Sequence, residues 1–181
     1  MIPGMNKARR PQAPRVGSAE GPPGGSVVFL LSSLGFAASR AFQDALAPVG
    51  LTPRQFALMN LVATSEGISQ GVLTQPLGIP ASRLVGIVDE LENKGLIERR
   101  RNPEDRRYYA LHLTAKGRAT LNRARRVARD NEERFCTPLE PSEREPLLES
   151  LRRLAAGQQL PLGVHPALAS PDEDDHGPAP M

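Results

Sequence analysis

Residues 95–117 read GLIERRRNPEDRRYYALHLTAKG. Residues 96–101 form one expected strand and residues 108–113 the other. In the second strand Tyr109, Leu111 and Leu113 alternate with Tyr108, Ala110 and His112, so one face can be buried and the other wet. Asn102-Pro103-Glu104-Asp105 lies between them as a turn. Pro103 presets φ for the second turn position, and Asn102 suits the first. Arg99, Arg100, Arg101, Arg106 and Arg107 gather at the tip and its flanks. A solvated charge run needs no pair of strands to display it. A finger that reaches a phosphate backbone or a narrow minor groove does.

Upstream, residues 80–94 carry Leu84, Ile87, Val88 and Leu91 at i, i+3, i+4, i+7, a single apolar helical stripe. The opposite side begins with Ser82 and Arg83 and turns acidic at Asp89 and Glu90. A helix that enters the major groove does so by its N-terminal end, where the dipole is positive, and acids are tolerable only at the far end. Further back, Thr52 is a good N-cap, Pro53 sits at N1, Gln55 completes a capping box, and Leu51 can staple to Phe56. That helix is expected to end near Thr64. Ser69 can cap a short helix containing Val72, Leu73 and Leu77, with Leu77-Gly78-Ile79 as the turn that follows. Downstream, Thr114 can cap a helix reaching about Cys136, with a thin apolar side of Leu121, Ala124, Ala128 and Phe135. Ser142 and Glu145 suggest a capping box for a last helix reaching about Ala156, striped by Leu147, Leu148, Leu151 and Leu154. Pro146 would clash with the carbonyl four residues back, which argues for a start later than Ser142.

These residues carry a resemblance. Asp105, Arg107, Leu111, Thr114 and Gly117 match the D-x-R-x-x-x-L-x-x-T-x-x-G wing motif of the MarR (multiple antibiotic resistance regulator) family. Residues 51–56, 77–79 and 88–92, with 95–100, also look like that family's winged helix-turn-helix core. The resemblance covers about residues 26–157. It implies a mainly α fold with a small β-hairpin wing: a winged helix-turn-helix core flanked by dimerisation helices. It further implies a homodimeric, sequence-specific DNA-binding regulator, more often a repressor, that releases a pseudo-palindromic operator when a small-molecule effector binds. Such an effector works only by preferring one spacing of the two reading heads over the other.

Composition agrees. In residues 95–129 eleven Lys and Arg face three acids, a local balance of +8 against +3 for the whole chain of 181 residues. The basic surface is therefore local, which favours double-stranded DNA over general stickiness. Residues 1–25 are Pro/Gly-rich and basic (Lys7, Arg9, Arg10, Arg15) and read as a disordered arm. Residues 26–160 are the expected domain, and residues 161–181, with Asp172-Glu173-Asp174-Asp175, an acidic disordered tail. Val28, Leu31, Gly35, Ala38, Phe42 and Ala45 continue a helical pattern past Ala37-Ala38-Ser39, which argues against a cleaved secretory leader. A helix apolar almost all round wants burial against another chain. No apolar run reaches the roughly 18 residues of a membrane span. The one cysteine, Cys136, fits a reducing compartment and reads as a small hydrophobe rather than a redox sensor. The expected location is the cytoplasm. No nucleophile–base pair, carboxylate dyad, metal cluster or cofactor motif is present, so neither an enzyme nor a cofactor is expected.

Among candidate site residues Arg107 comes first. The resemblance implies that it lines the minor groove with Asp105 holding it; the alternative is an Asp–Arg pair that only braces the turn. Arg106 is expected to be a phosphate contact. Ser82 and Arg83 are candidates for base edges or phosphates, since Arg pairs bidentately with guanine, and Ser82 can equally serve a helix-start hydrogen bond. Gln70 is a candidate phosphate contact. Arg99 to Arg101 read as partly solvated strand residues. Three departures from the family pattern stand out. Gly86 occupies a slot often taken by a DNA-facing polar residue, Pro80 takes the usual N-cap Ser slot, and Pro76 interrupts the short helix. They keep open the alternative of a winged-helix interaction or antagonist module with weak or no specific DNA binding. Phe29, Phe36, Phe42, Phe56 and Met59 are candidates for an effector pocket or simply for core.

Overall fold

The computed structural model describes residues 25–74, 80–101 and 109–160. The chain divides into two compact units, Met1–Phe36 and Ala37–Met181. The described elements are α1 (Val27–Leu46), a 3-10 turn (Ala47–Val49), α2 (Pro53–Thr64), α3 (Ala81–Asn93), β1 (Ile97–Arg101), β2 (Tyr109–Leu113), α4 (Ala115–Phe135) and α5 (Pro141–Gly157). The mainly helical architecture with one small hairpin is the expected one.

In the first unit, Ser26 starts α1 by accepting from the Phe29 N–H at 3.4 Å. Val27, Val28, Phe29, Leu30, Leu31, Leu34 and Phe36 are all exposed. In the second unit, Leu46 at the end of α1 is fully buried. The start of α2 has the expected capping box: Thr52 Oγ1 accepts from Gln55 N at 3.2 Å, and Gln55 Oε1 accepts from Thr52 N at 3.3 Å. Two orphan donors are thereby satisfied at once. The core gathers Leu46, Leu58, Met59, Val62, Leu73, Leu84, Val88 and Leu91 with Leu111, Leu113, Leu121 and Ala124. Phe42 and Phe56 meet edge to face beside it, ring centroids 5.6 Å apart.

β1 and β2 pair antiparallel in the register Ile97↔Leu113 to Arg101↔Tyr109. Leu111 and Leu113 are buried as expected, but Tyr109 is exposed and Ala110 is buried. The segment after α2 runs beside Ala110 and Leu111. Leu111 N donates to Ile68 O at 3.0 Å, Gly67 N donates to Leu111 O at 3.2 Å, and Ser69 bridges Ala110. Residues 67–69 thus line the free edge of β2, and the His112 ring stands 3.6 Å from where a Cβ on Gly67 would sit. Of the short helix expected after Ser69, residues 70–73 form a turn and Thr74 is helical; residues 75–79, with Pro76 and the Leu77-Gly78-Ile79 turn, lie outside the described residues.

The joint between α3, the hairpin and α4 explains two motif positions. α3 ends in a Schellman motif: Gly95 has φ 67°, Gly95 N donates to Glu92 O at 2.8 Å, and Leu96 N donates to Leu91 O at 2.9 Å. Glycine takes that left-handed position without steric cost. Thr114 Oγ1 accepts from Gly117 N at 2.9 Å, capping α4, and donates to Gly95 O at 2.7 Å. A Cβ on Gly117 would lie 1.9 Å from Leu96 O. The first turn of α4 therefore packs directly on the backbone of the turn that ends α3.

α5 corrects the expected capping. It begins at Pro141, before Ser142 rather than after it, and Pro146 sits inside it. The cap comes from Glu140 and Glu143, not Ser142 and Glu145: the Glu143 carboxylate accepts from Glu140 N at 2.8 Å. Pro141 at N1 gives up no bond that a helix would make. Arg144 further anchors this first turn, donating to Glu133 at 2.8 Å and to the Cys136 carbonyl at 3.3 Å. Those ties hold the turn despite the donor lost at Pro146.

Candidate nucleic-acid interface

α3 is amphipathic in the sense its sequence announces. Leu84, Ile87, Val88 and Leu91 are buried, while Ala81, Ser82, Val85, Gly86, Asp89, Glu90, Glu92 and Asn93 are exposed. Its N-cap is Pro80, with no side-chain cap. The first backbone N–H groups of a helix have no intrahelical partner and carry the positive end of the dipole. Ser82 is exposed at that end, and Arg83 is half-buried beside it. Gly86, one turn on, is open, with nothing within 4 Å of where a Cβ would stand. Gln70 is half-buried in the turn after α2 rather than at a helix start. Asp105, Arg106 and Arg107 lie outside the described residues, as does the Asn102–Asp105 turn.

The basic stretch is more internally compensated than its charge count implies. Arg99 on β1 is a two-armed clamp on α3. One guanidinium nitrogen pairs with Glu92, the other reaches Asp89 at 2.5 Å, and the Arg99 backbone N–H donates to Glu92 at 3.3 Å. Burial alone would lower the Arg99 pKa, but hydrogen bonds to Asp89 and Glu92 and their charges outweigh it, so the net shift is upward. Arg100 pairs with Glu98, Arg118 with Glu66, and Arg125 donates to Asn60 at 2.8 Å. Arg101, Arg123, Arg126 and Arg129 are exposed. The third acid of α3, Glu90, accepts from Gln55 Nε2 at 2.6 Å, and Gln55 Oε1 accepts from Lys94 Nζ at 3.0 Å. Gln55 is buried and serves both its cap and this bridge.

The Arg99 clamp is the feature of this surface that the sequence does not announce. Its one local signal is Asp89 and Glu92 at i, i+3 on the helix immediately before a tight turn, with Arg99 just beyond it. Of the aromatic candidates for an effector pocket, Phe29 and Phe36 are exposed, and Phe42 and Phe56 pack on the core; Met59 beside them is fully buried. An open groove of about 450 Å³ lies instead among Ala41, Asp44, Ala45, Asn131, Arg134 and Phe135.

A helix whose N-cap, Pro80, offers no side-chain cap, followed at once by an antiparallel basic hairpin whose outer edge is paired to the turn after α2, is a winged helix. The sequence model of the MarR family matches residues 49–107. The transcriptional repressor CouR, solved bound to a 23-mer DNA duplex, is 35% identical, with a TM-score of 0.66 over 73% of this chain and 94% of that one. The chain belongs to the MarR family. MarR-family proteins are transcriptional regulators rather than enzymes. CouR from Rhodococcus jostii RHA1, solved bound to p-coumaroyl-CoA, aligns with 29% identity and a TM-score of 0.61 over 73% of this chain and 93% of that one. A putative transcriptional regulatory protein for the hcr operon of Thauera aromatica is 35% identical over 105 residues, 58% of this chain. That match spans 63% of the length of the Thauera protein. Among the described residues no helix is long and apolar enough to cross a membrane.

Proposed function

We propose that this MarR-family chain is a ligand-responsive repressor that binds a pseudo-palindromic operator as a homodimer. The observation that carries the DNA reading is the N-terminal end of α3, where Pro80 gives no side-chain cap, Ser82 is exposed and Arg83 is half-buried, set beside an Arg-rich hairpin in a chain 35% identical to a DNA-bound repressor. In this reading Ser82 and Arg83 approach base edges or phosphates, Gln70 and Arg106 approach phosphates, and Arg107, held by Asp105, enters the minor groove. Half-sites one helical turn apart suit two such heads, and the 23-mer bound by CouR is long enough for both.

The homodimer reading rests on apolar surface. The first half of α1 exposes seven large apolar residues, and α5 exposes Leu147, Leu148, Leu151 and Leu154. Contiguous exposed apolar faces of this kind mark association sites. Residues 1–25 and 161–181 are read as appendages to a DNA-binding domain of residues 26–160.

For the effector, the class to test first is an aromatic acyl-CoA thioester, because CouR binds p-coumaroyl-CoA. The groove with Phe135 and Arg134 offers an aromatic wall beside a cation, which suits an aromatic group carrying an anionic tail.

The test is binding of the purified chain to DNA upstream of its own coding sequence, with genomic competitor, at two salt concentrations, with and without p-coumaroyl-CoA. Specific binding that falls steeply with salt supports the operator reading, and release by the thioester supports the effector class. Binding no tighter than to random DNA overturns the operator reading. Binding that the thioester leaves unchanged overturns the effector class alone.

A further inference from the structure

α3 carries a physical conflict. Ser82, Gly86, Asp89 and Asn93 stand at i, i+4, i+7 and i+11 and are all exposed, so they share the face opposite the buried stripe. The face that presents Ser82 to DNA therefore also presents a carboxylate. At 1.5 Å rise per residue Asp89 lies about 10 Å along the axis from Ser82. That is about one screening length at 0.1 M salt, over which the repulsion between a bare carboxylate and the phosphates is attenuated but not abolished. Glu92, three residues beyond Asp89, lies to the side of that face and is also exposed.

The structure answers with one residue from another element. Arg99 reaches back from β1 and pairs with both carboxylates, and its side chain is only 18% exposed while theirs are 52% and 40% exposed. The acids thus keep a solvent-facing side while the cation that compensates them sits behind. A guanidinium serves two carboxylates at once because its donors form a rigid planar fork; a lysine ammonium is a single point charge.

We infer that Arg99 is a positioning residue for DNA binding: it is the internal counter-ion of the reading helix, neutralising Asp89 and Glu92 so that the exposed face of α3 can approach a phosphate backbone. Arg99 acts through the two acids and makes no contact with DNA itself. The inference rests on the operator reading above.

The experiment measures binding of the full chain to the same upstream DNA, alongside random DNA, at two salt concentrations and well below the melting temperature of each variant. Arg99→Gln is expected to weaken specific binding about tenfold, because Asp89 on that face and Glu92 beside it are then left uncompensated. Asp89→Asn/Glu92→Gln/Arg99→Gln, which removes all three charges, is expected to recover wild-type affinity to within about threefold. Asp89→Asn/Glu92→Gln alone, which keeps the cation, is expected to bind at least as tightly as wild type, and it remains informative if Arg99→Gln folds poorly. A merely structural ion pair would lower the melting temperature and leave the affinity of the folded fraction unchanged, and that result overturns the inference. So does a triple variant as weak as Arg99→Gln with its salt slope reduced by about one unit, which would make Arg99 a phosphate contact. If the wild-type chain itself shows no salt-steep specific binding, the operator reading fails first and takes the inference with it.

Discussion

α3 and α5 carry the same kind of stripe and meet opposite fates. In α3 Leu84, Ile87, Val88 and Leu91 are at most 8% exposed. In α5 Leu147, Leu148, Leu151 and Leu154 are 36–47% exposed. Period and residue type do not distinguish them. What differs is what lies opposite: α3 faces α2 and the hairpin within one chain, whereas no described residue of this chain buries the α5 stripe. The helical pattern says that a face is to be covered, not by whom. The contrast divides this protein into a head that closes on itself and a face left for a partner, which the proposed homodimer supplies.

Substitutions can break that contrast in order of size. Leu84→Ala removes a fully buried side chain and should cost about 2–5 kcal/mol of folding stability, read from chemical denaturation at fixed protein concentration. Gly117→Ala should cost about 3 kcal/mol, because the added Cβ meets Leu96 O, a backbone atom that cannot turn aside as a side chain would. A melting temperature equal to wild type would show that α4 shifts freely against the hairpin. Leu148→Asp/Leu151→Asp should raise the dimer dissociation constant by about 100-fold or more in sedimentation equilibrium, roughly 3 kcal/mol of association. A pair that leaves the dimer intact would move the partner surface elsewhere and remove the contrast. Thr52→Ala deletes one arm of the α2 capping box and should cost about 1 kcal/mol. Smallest, and opposite in sign, Gly86→Ala should stabilise the chain by about 0.5–1 kcal/mol, since the site is open and helical. If that gain in melting temperature comes with lost DNA affinity, the bare backbone at Gly86 has a role in close approach.

Much of the head was legible because the signals are local. Thr52 with Gln55, Thr114 before α4 and the stripe of α3 all follow rules that act over three or four residues, and all appear where those rules place them. Ser82 was legible as the exposed end of α3 for the same reason, with Arg83 half-buried beside it. The Arg99 clamp, the Gln55–Glu90 bridge and the Arg118–Glu66 pair were not, because they join elements. The count of +8 over residues 95–129 includes Arg99 and Arg118 while Asp89, Glu92 and Glu66, which offset them, lie outside that window. At Gly117 the clue was present unread: a glycine in the first turn of a capped helix costs propensity without a local return, which points to a close backbone approach.

The sequence alone determined which of the longer segments are helices, where most of them start, that a basic hairpin follows α3, and which faces are apolar. Those outcomes depend on backbone sterics, capping hydrogen bonds and periodicity, which neighbouring residues settle among themselves. Tertiary structure decided the rest. It laid residues 67–69 along β2, started α5 at Pro141 through Glu140, Glu143 and Arg144, pressed Gly117 onto Leu96, and turned one arginine of a basic run inward to serve the acids of α3. Each of these sets a charge, a backbone donor or a Cβ against a group from another element, and such meetings exist only once the chain has closed.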